Sequence, residues 1–190
     1  MTKILAFSGS LRKESFNTKI LAHAIEGAEA AGATVTRVNL ADLDIPLMDQ
    51  DLEDKSGIPA DAKKFKQMLI EHDGMLIASP EYNSSITPAL KNAIDWATRP
   101  EKGEKPLVAF AGKHAGLVAA SGGALGGLRG LFHVREILQN IMVTVIPNML
   151  AVSKVDTLLD DNGRITDEQW RGKLENVGKA LAETIAKQKG

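Results

Sequence analysis

The sequence predicts a three-layer α/β fold, a parallel sheet with helices on both faces, and three observations carry that prediction. Short apolar runs suited to strands buried on both sides alternate with longer stretches of helical period, beginning with Ile4-Leu5-Ala6-Phe7 and ending with the stripe through Leu174 and Leu181. No two runs are joined by a regular hairpin turn, so successive strands need crossover helices and lie parallel. The two most polar strand-to-helix turns are Ser8–Asn17 and Pro80–Ser85. Such turns sit at the carboxyl ends of strands, where open α/β sheets bind ligands.

Each element follows from its own residues. A helix of Phe16, Ile20, Leu21, Ala24, Ile25 and Ala28 follows the first strand, and Ala31-Gly32-Ala33 stops it before a second strand, Thr34–Val38. Residues Asn39 to Pro59 hold Pro46, Gly57, Pro59 and an acidic run from Asp49 to Asp54, and read as a long loop with a solvated surface. Ala60 to Glu71 has a helical period through Phe65, Met68 and Leu69, and Gly74–Ser79 is the third strand. The next helix has Pro88 in its first turn and Leu90, Ala93, Ile94 and Ala97 on one face. Arg99 to Gly112 reads as a connector, although Leu107–Phe110 has strand character. Ala115–Ala120 makes the better fourth strand, because the glycine-rich turn Ser121–Gly127 and a helix through Leu128, Leu131, Phe132, Val134, Leu138 and Ile141 follow it. Met142–Ile146 is the fifth strand, closed by Pro147. After the turn Asp160–Gly163, Thr166 and Gln169 stand at capping-box spacing ahead of a last helix that buries Trp170, Leu174, Val177, Leu181 and Ile185.

Five strands are too few for a TIM barrel and match the flavodoxin-like order 2-1-3-4-5. At 190 residues, 44% hydrophobic and 25% charged, residues 1–190 form one domain with a sizeable core. The net charge of −1 argues against nucleic-acid and membrane-surface partners. The chain has no cysteine, which excludes disulfides, thiolate metal sites and cysteine nucleophiles. Met1-Thr2-Lys3 leads straight into a strand and no stretch approaches ~20 apolar residues, so a cytoplasmic location is expected.

The first strand-to-helix turn has the makings of an anion site. The opening N–H groups of its helix point at the loop, with the positive end of the macrodipole behind them. Ser8, Ser10, Arg12, Ser15 and Asn17 add side-chain donors within ten residues. Helix capping alone would explain one of these residues, but not all five. In the 2-1-3-4-5 order the crevice opens between strands 1 and 3, so the Pro80–Ser85 turn faces this loop, with Ser121-Gly122-Gly123 beside it.

Other chemistries lack their residues. There is no G-x-x-x-x-G-K-[ST] loop, no G-x-G-x-x-G after the first strand and no G-x-S-x-G elbow. Asp160-Asp161-Asn162-Gly163 fails as a calcium loop, with Leu158 and Gln169 at the first and last ligand positions. His23, His72, His114 and His133 show no metal-ligand spacing and read as structural, so no metal site and no catalytic side chain is assigned. Trp96 and Trp170 lie on helical apolar stripes. Tyr82, the only tyrosine, stands in a polar loop where stacking or interface contact is expected. A phosphate site beside a shallow, peptide-rich crevice suits FMN, with the phosphate on Ser10, Arg12, Ser15 and Asn17. The isoalloxazine would lie between Pro80–Asn83 and Ser121, Gly122 and Gly123, whose glycines let the backbone approach closely.

Three segments resemble the NADPH-dependent FMN reductase family, flavodoxin-like quinone, chromate and azo reductases: Gly9-Ser10-Leu11-Arg12-Lys13-Glu14-Ser15-Phe16-Asn17, Ser79 through Trp96, and Ala111-Gly112-Lys113. The resemblance spans nearly the whole chain. It implies that Ser10, Arg12, Ser15, Phe16 and Asn17 hold the FMN phosphate and ribityl chain. It also implies that Pro80, Glu81, Tyr82, Asn83 and the Ser121–Gly123 turn contact the isoalloxazine. Homodimers or homotetramers with the flavin near the subunit border are implied as well, a role that would suit Tyr82 and Trp96. The turn Ala119-Ala120-Ser121-Gly122-Gly123 is a small, apolar version of one that varies in the family. The expected activity is ping-pong transfer of two electrons from NADPH or NADH to a small-molecule acceptor: a quinone, azo compound, metal oxyanion or free flavin. The alternatives are an electron carrier docking on protein partners, which would usually be strongly acidic, and a low-turnover FMN-binding regulator.

Overall fold

A computed structural model describes residues 1–189 and shows a parallel sheet ordered β2-β1-β3-β4-β5 between two helical layers. The strands are β1 (Lys3–Ser8), β2 (Thr34–Asn39), β3 (Gly74–Ala78), β4 (His114–Ala120), β5 (Thr144–Val145) and β6 (Leu150–Val152). The helices are α1 (Phe16–Ala30), α2 (Gln50–Ser56), α3 (Ala60–Glu71), α4 (Pro88–Thr98), α5 (Leu128–Asn140) and α6 (Glu168–Lys189). This is the predicted flavodoxin-like order.

Alternation along β1 divides the interior into two cores. Ile4 and Ala6 share one with Ile20 and Ala24 of α1 and Leu181 of α6. Leu5 and Phe7 share the other with Phe65 of α3, Leu90 of α4 and Leu131 of α5. Phe7 and Phe65 meet edge to face at 5.2 Å. β3 and β4 are buried throughout, and for that reason they read as unbroken apolar runs, whereas the edge strand β2 is half exposed.

The layer of α1 and α6 depends on two glycines. A methyl group at Gly27 would fall 1.9 Å from the Glu175 carbonyl oxygen, and one at Gly178 would fall 1.7 Å from that of Ala24. The helix backbones therefore touch directly, which seats α1 tightly over β1, β3 and β4.

Four elements depart from the sequence expectation. The stretch expected as a loop from Asn39 to Pro59 contains a 3-10 turn, Leu40–Asp42, and the helix α2. The acidic run belongs to that helix. Asp49 caps it, Asp51 and Glu53 occupy its positive end, and Gly57 ends it at φ 75°. No α2 residue is buried, so the helix leaves no apolar period in the sequence. The fifth strand is cut to Thr144–Val145, since Met142 turns at φ 67° and Pro147 interrupts pairing. β4 instead finds a second partner in β6. Leu107–Phe110, by contrast, is a turn within the connector as the sequence reading has it, with Leu107 at φ 55°. The cap of α6 is Asp167, which accepts the Trp170 N–H at 2.9 Å, while the Thr166 hydroxyl donates to the Leu158 carbonyl. Phe132 and Leu128 of α5 are exposed and Trp170 is half-buried, so the apolar stripes expected of α5 and α6 extend past the core.

Three histidines are used structurally. His23 is buried. Its Nε2 accepts the Ile165 N–H at 3.1 Å and its Nδ1 donates to Glu26 at 3.2 Å. His23, Glu26 and Glu175 bring ligand atoms within 4.8 Å of one another, but these bonds already engage both ring nitrogens of His23. His72 bonds Met68 O and Thr36 Oγ1. The cation at the end of α3 is Lys113, whose ammonium meets the carbonyls of Leu69, Ile70 and His72. His114 is buried where β4 begins.

Two predictions follow from this packing. Gly178→Ala should cost about 3 kcal/mol, the upper part of the overpacking range. Gly172→Ala, a helix position with nothing within 4 Å, should gain about 0.5–1 kcal/mol; urea unfolding separates the two. Burial holds the His23 pKa below 6.5 against the opposing pull of Glu26, and burial lowers His114 likewise. Below 6.5 the unfolded chain therefore binds protons that the folded chain refuses, and stability falls as pH drops through that window. Urea midpoints measured against pH should show this slope, and His23→Gln should reduce it.

Candidate functional site

The loops after β1, β3 and β4 are held side by side because the sheet ladder continues past the strand ends. Gly9 N donates to Ala78 O at 2.9 Å, Ser79 N to Val118 O at 2.9 Å, and Ser121 N to Val152 O at 3.2 Å. Thr87, ahead of α4, donates to Gly9 O at 2.6 Å and accepts the Leu90 N–H at 3.2 Å, tying the first loop to α4. Between the loops lies a cleft of about 230 Å³. Ser10, Arg12, Ser15, Phe16 and Asn17 line one side; Pro80, Glu81, Tyr82, Ala120, Ser121 and Gly122 line the rest. Larger hollows, of about 420 and 470 Å³, lie between the far ends of α4 and α5 and around Asp44–Asp61. Neither stands at the switch point, and position rather than volume singles out the cleft.

Ten of the twelve residues expected at the site line this cleft, and Asn83 and Gly123 do not. Asn83 and Ser84 occupy the two central positions of a tight turn, at φ 50° and 69°, closed by paired hydrogen bonds between Tyr82 and Ser85. Gly123 organises its own turn: its N–H donates to Ser121 Oγ, and its carbonyl accepts from Gly126 and Lys154.

Two helices aim their amino termini at this region, and they differ in charge balance. At α5, the Glu81 carboxylate accepts the N–H groups of Arg129 at 3.0 Å and Gly130 at 3.2 Å, and pairs with the Arg129 guanidinium. Burial alone would raise the Glu81 pKa. The Arg129 and Gly130 hydrogen bonds outweigh it and hold the carboxyl below its usual 4.5. At α1 no acidic residue stands in the first turn, and among the described residues the Phe16 and Asn17 N–H groups have no acceptor. Arg12 is exposed and its guanidinium has no partner among the described residues. One positive helix end is filled and the other is open.

Within the open loop the hydroxyl oxygens of Ser10 and Ser15 accept the Arg12 and Thr18 N–H groups, at 3.2 and 3.4 Å, which leaves each hydroxyl hydrogen able to donate. Ser8 accepts the Ser10 N–H in the same way. Asn17 differs. Its side-chain amide donates to Ala120 O and accepts from Ala120 N, both at 3.0 Å. Only its backbone N–H faces the loop unsatisfied. The sequence reading missed Thr87 and Arg129 as supports of the site, and no local pattern marks either. Free hydroxyls, an unpaired guanidinium and open helix N–H groups form the donor set that a phosphomonoester needs, and the small residues Ala120, Ser121 and Gly122 can approach a flat ring. These residues fit FMN.

A doubly wound sheet with an open, phosphate-competent helix terminus at its switch point defines a flavodoxin-like mononucleotide-binding protein. Comparison with known proteins narrows that class. The chain belongs to the NADPH-dependent FMN reductase family, whose model matches residues 2–157. It is similar to an NAD(P)H-dependent FMN reductase of Pseudomonas aeruginosa, 35% identical over 99% of this chain and 97% of the other. A quinone reductase of Escherichia coli is 32% identical over 98% and 97%. Among solved structures, FerB of Paracoccus denitrificans, a flavoenzyme NAD(P)H:(acceptor) oxidoreductase, superposes with a TM-score of 0.80 at 26% identity, covering 98% of both chains. The chain is an NAD(P)H-dependent oxidoreductase that uses FMN.

Asn17 and Arg12 should separate on mutation. Arg12→Ala should leave the stability of the cofactor-free chain unchanged and weaken FMN binding by about 1.5–3 kcal/mol, read by flavin fluorescence titration. Asn17→Ala should cost about 2–4 kcal/mol of stability without any cofactor, because it strands the two backbone groups of Ala120.

Proposed function

We propose that the chain reduces quinones, with NAD(P)H and the quinone taking turns at one face of the cleft. The observation that carries this reading is the unfilled amino terminus of α1 with unpaired Arg12, set opposite small, peptide-rich turns. FMN, when bound there, supplies the two-electron chemistry, and the protein supplies binding and electrostatics. Ser10, Arg12, Ser15 and the N–H groups of Phe16 and Asn17 hold the phosphate. Pro80, Tyr82, Ser121 and Gly122 flank the ring. At about 230 Å³ the cleft is smaller than the usual ~300–1,000 Å³ of an enclosing pocket, which leaves one ring face for a second planar molecule.

Tyr82, 49% exposed on the rim, offers an aromatic wall to that molecule. Among the described residues Glu81 is the only carboxylate lining the cleft, and Arg129 and α5 engage it. No side chain is therefore assigned to general acid–base work. Quinone reduction requires a hydride equivalent from NAD(P)H and one proton, which solvent reaches at the open face. The Escherichia coli relative's name favours a quinone as acceptor. The net charge of −1 favours an enzyme over an acidic electron carrier.

We further propose a cytoplasmic homo-oligomer with the cleft near the subunit border. Tyr82, Leu125, Leu128 and Phe132 expose apolar surface in the 80–85 turn, in the turn after β4 and on α5. Trp96, expected as a candidate for that border, is fully buried, and its indole N–H donates to Pro46 O at 2.7 Å, so it takes no part. No helix among the described residues is long and apolar enough to cross a membrane.

The test is an absorption spectrum of the purified protein supplied with FMN, followed by anaerobic NADPH and then a benzoquinone. Flavin bands that bleach with NADPH and return with quinone support the reading. Bleaching that quinone cannot reverse would overturn the acceptor, and bound flavin that NADPH cannot reduce would favour a carrier.

A further inference from the structure

The ion pair between Arg129 and Glu81 resembles a surface pair on one side only. The Arg129 side chain is 54% exposed, but that of Glu81 is 9% exposed. Surface pairs do little because water competes for both partners. Here one partner is desolvated and gathers four donors: the N–H groups of Arg129 and Gly130, Arg129 Nε at 2.8 Å, and Arg129 Nη2. A carboxylate so held fixes the loop that bears it.

The rest of the contact runs along one face of α5. Gly130 admits the loop: a Cβ there would stand 3.2 Å from Ser85 O and 3.3 Å from Glu81 Cβ. One turn further on, His133 Nδ1 lies 3.0 Å from Ser85 Oγ. The 81–85 hairpin is thus gripped at both ends, Glu81 and Ser85. Its tip needs the grip, because Asn83 and Ser84 sit in the left-handed region that non-glycine residues disfavour. Arg129 itself does not line the cleft.

We propose that Arg129 is a positioning residue for the flavin cleft. Acting through Glu81 and the first turn of α5, it sets the Pro80–Tyr82 wall at the spacing the cofactor ring requires. The same contacts neutralise the amino terminus of α5, so α1 presents the only open helix terminus in the cleft. This inference rests on the FMN reading of that site. It differs from direct contact between the Glu81 carboxylate and the cofactor, because it assigns an effect to a residue outside the cleft.

The experiment compares wild type with Arg129→Met, Arg129→Lys, Glu81→Gln and the Arg129→Met/Glu81→Gln double variant. FMN affinity is read by fluorescence, and amide hydrogen exchange at Tyr82 and Ser85 is read in the cofactor-free protein. Arg129→Met and Glu81→Gln should each weaken FMN binding about 5- to 20-fold. The double variant should be no worse than the weaker single, because residues acting as one unit are not additive. Tyr82 and Ser85 should exchange about tenfold faster in Arg129→Met while Leu76, in β3, is unchanged. Arg129→Lys should recover only part of the affinity, since it keeps the charge but loses the planar fork.

Arg129→Met binding FMN as wild type does would overturn the proposal, and so would unchanged exchange at Tyr82 and Ser85. A lower unfolding midpoint with unaltered FMN affinity would also overturn it, since that is a structural ion pair and nothing more. If Glu81→Gln does not fold, Arg129→Met decides alone. Wild type failing to bind FMN would defeat the FMN assignment itself, and the exchange comparison would still decide whether Arg129 holds the hairpin.

Discussion

The cleft depends on two hydrogen bonds from a single side chain. β3 stops at Ala78, and the last rung it shares with β4 is Ser79 N to Val118 O. Two residues on, the backbone of Ala120 faces the same side with no strand beside it. The Asn17 amide takes that place, donating to Ala120 O and accepting from Ala120 N. A primary amide carries one donor group and one acceptor, as a peptide does, so it completes the ladder where the chain cannot. The bond crosses 103 residues of sequence and joins the first turn of α1 to the end of β4. It keeps the phosphate-competent terminus and the Ser121–Gly122 turn from drifting apart, and either would be lost as a wall if they did.

Packing behind the site points the same way. The glycine contacts at Gly27 and Gly178 press α1 against α6 until backbone meets backbone. A helix seated so closely has little freedom to tilt, and its amino terminus is aimed by the body of the protein rather than by the loop. Its open N–H groups then act as a preorganised site for negative charge. The other helix terminus is occupied by a carboxylate from the chain itself. One fold thus uses the same helix-end physics once to bind and once to brace.

The redox chemistry of the enzyme resides in FMN, and the Glu81 carboxylate that lines the cleft is engaged by Arg129 and α5. Family membership rests on most of the chain, and residues of all three strand-end loops line one cleft. At the rim of the cleft stand the exposed ring of Tyr82 and the small residues Ala120, Ser121 and Gly122.

The sequence by itself determined the strand order, the helical layers on both faces and the three strand-end loops that meet in one cleft. Burial on both faces, helical period and strand-end polarity are local patterns that survive without coordinates. It could not show α2, whose residues are all solvated, or the division of the fifth strand, where a short apolar run hides a positive φ at Met142 and a break at Pro147. Within the site it gave residue types without their duties. Ser15 both caps α1 and faces the cleft, and Asn17 spends its amide on Ala120. Glu81 spends its carboxylate on α5, and Asn83 shapes a turn outside the cleft. Only tertiary structure decides those assignments. A polar side chain bonds whatever the fold brings within about 3 Å, and for these residues the partner lies as many as 103 positions away.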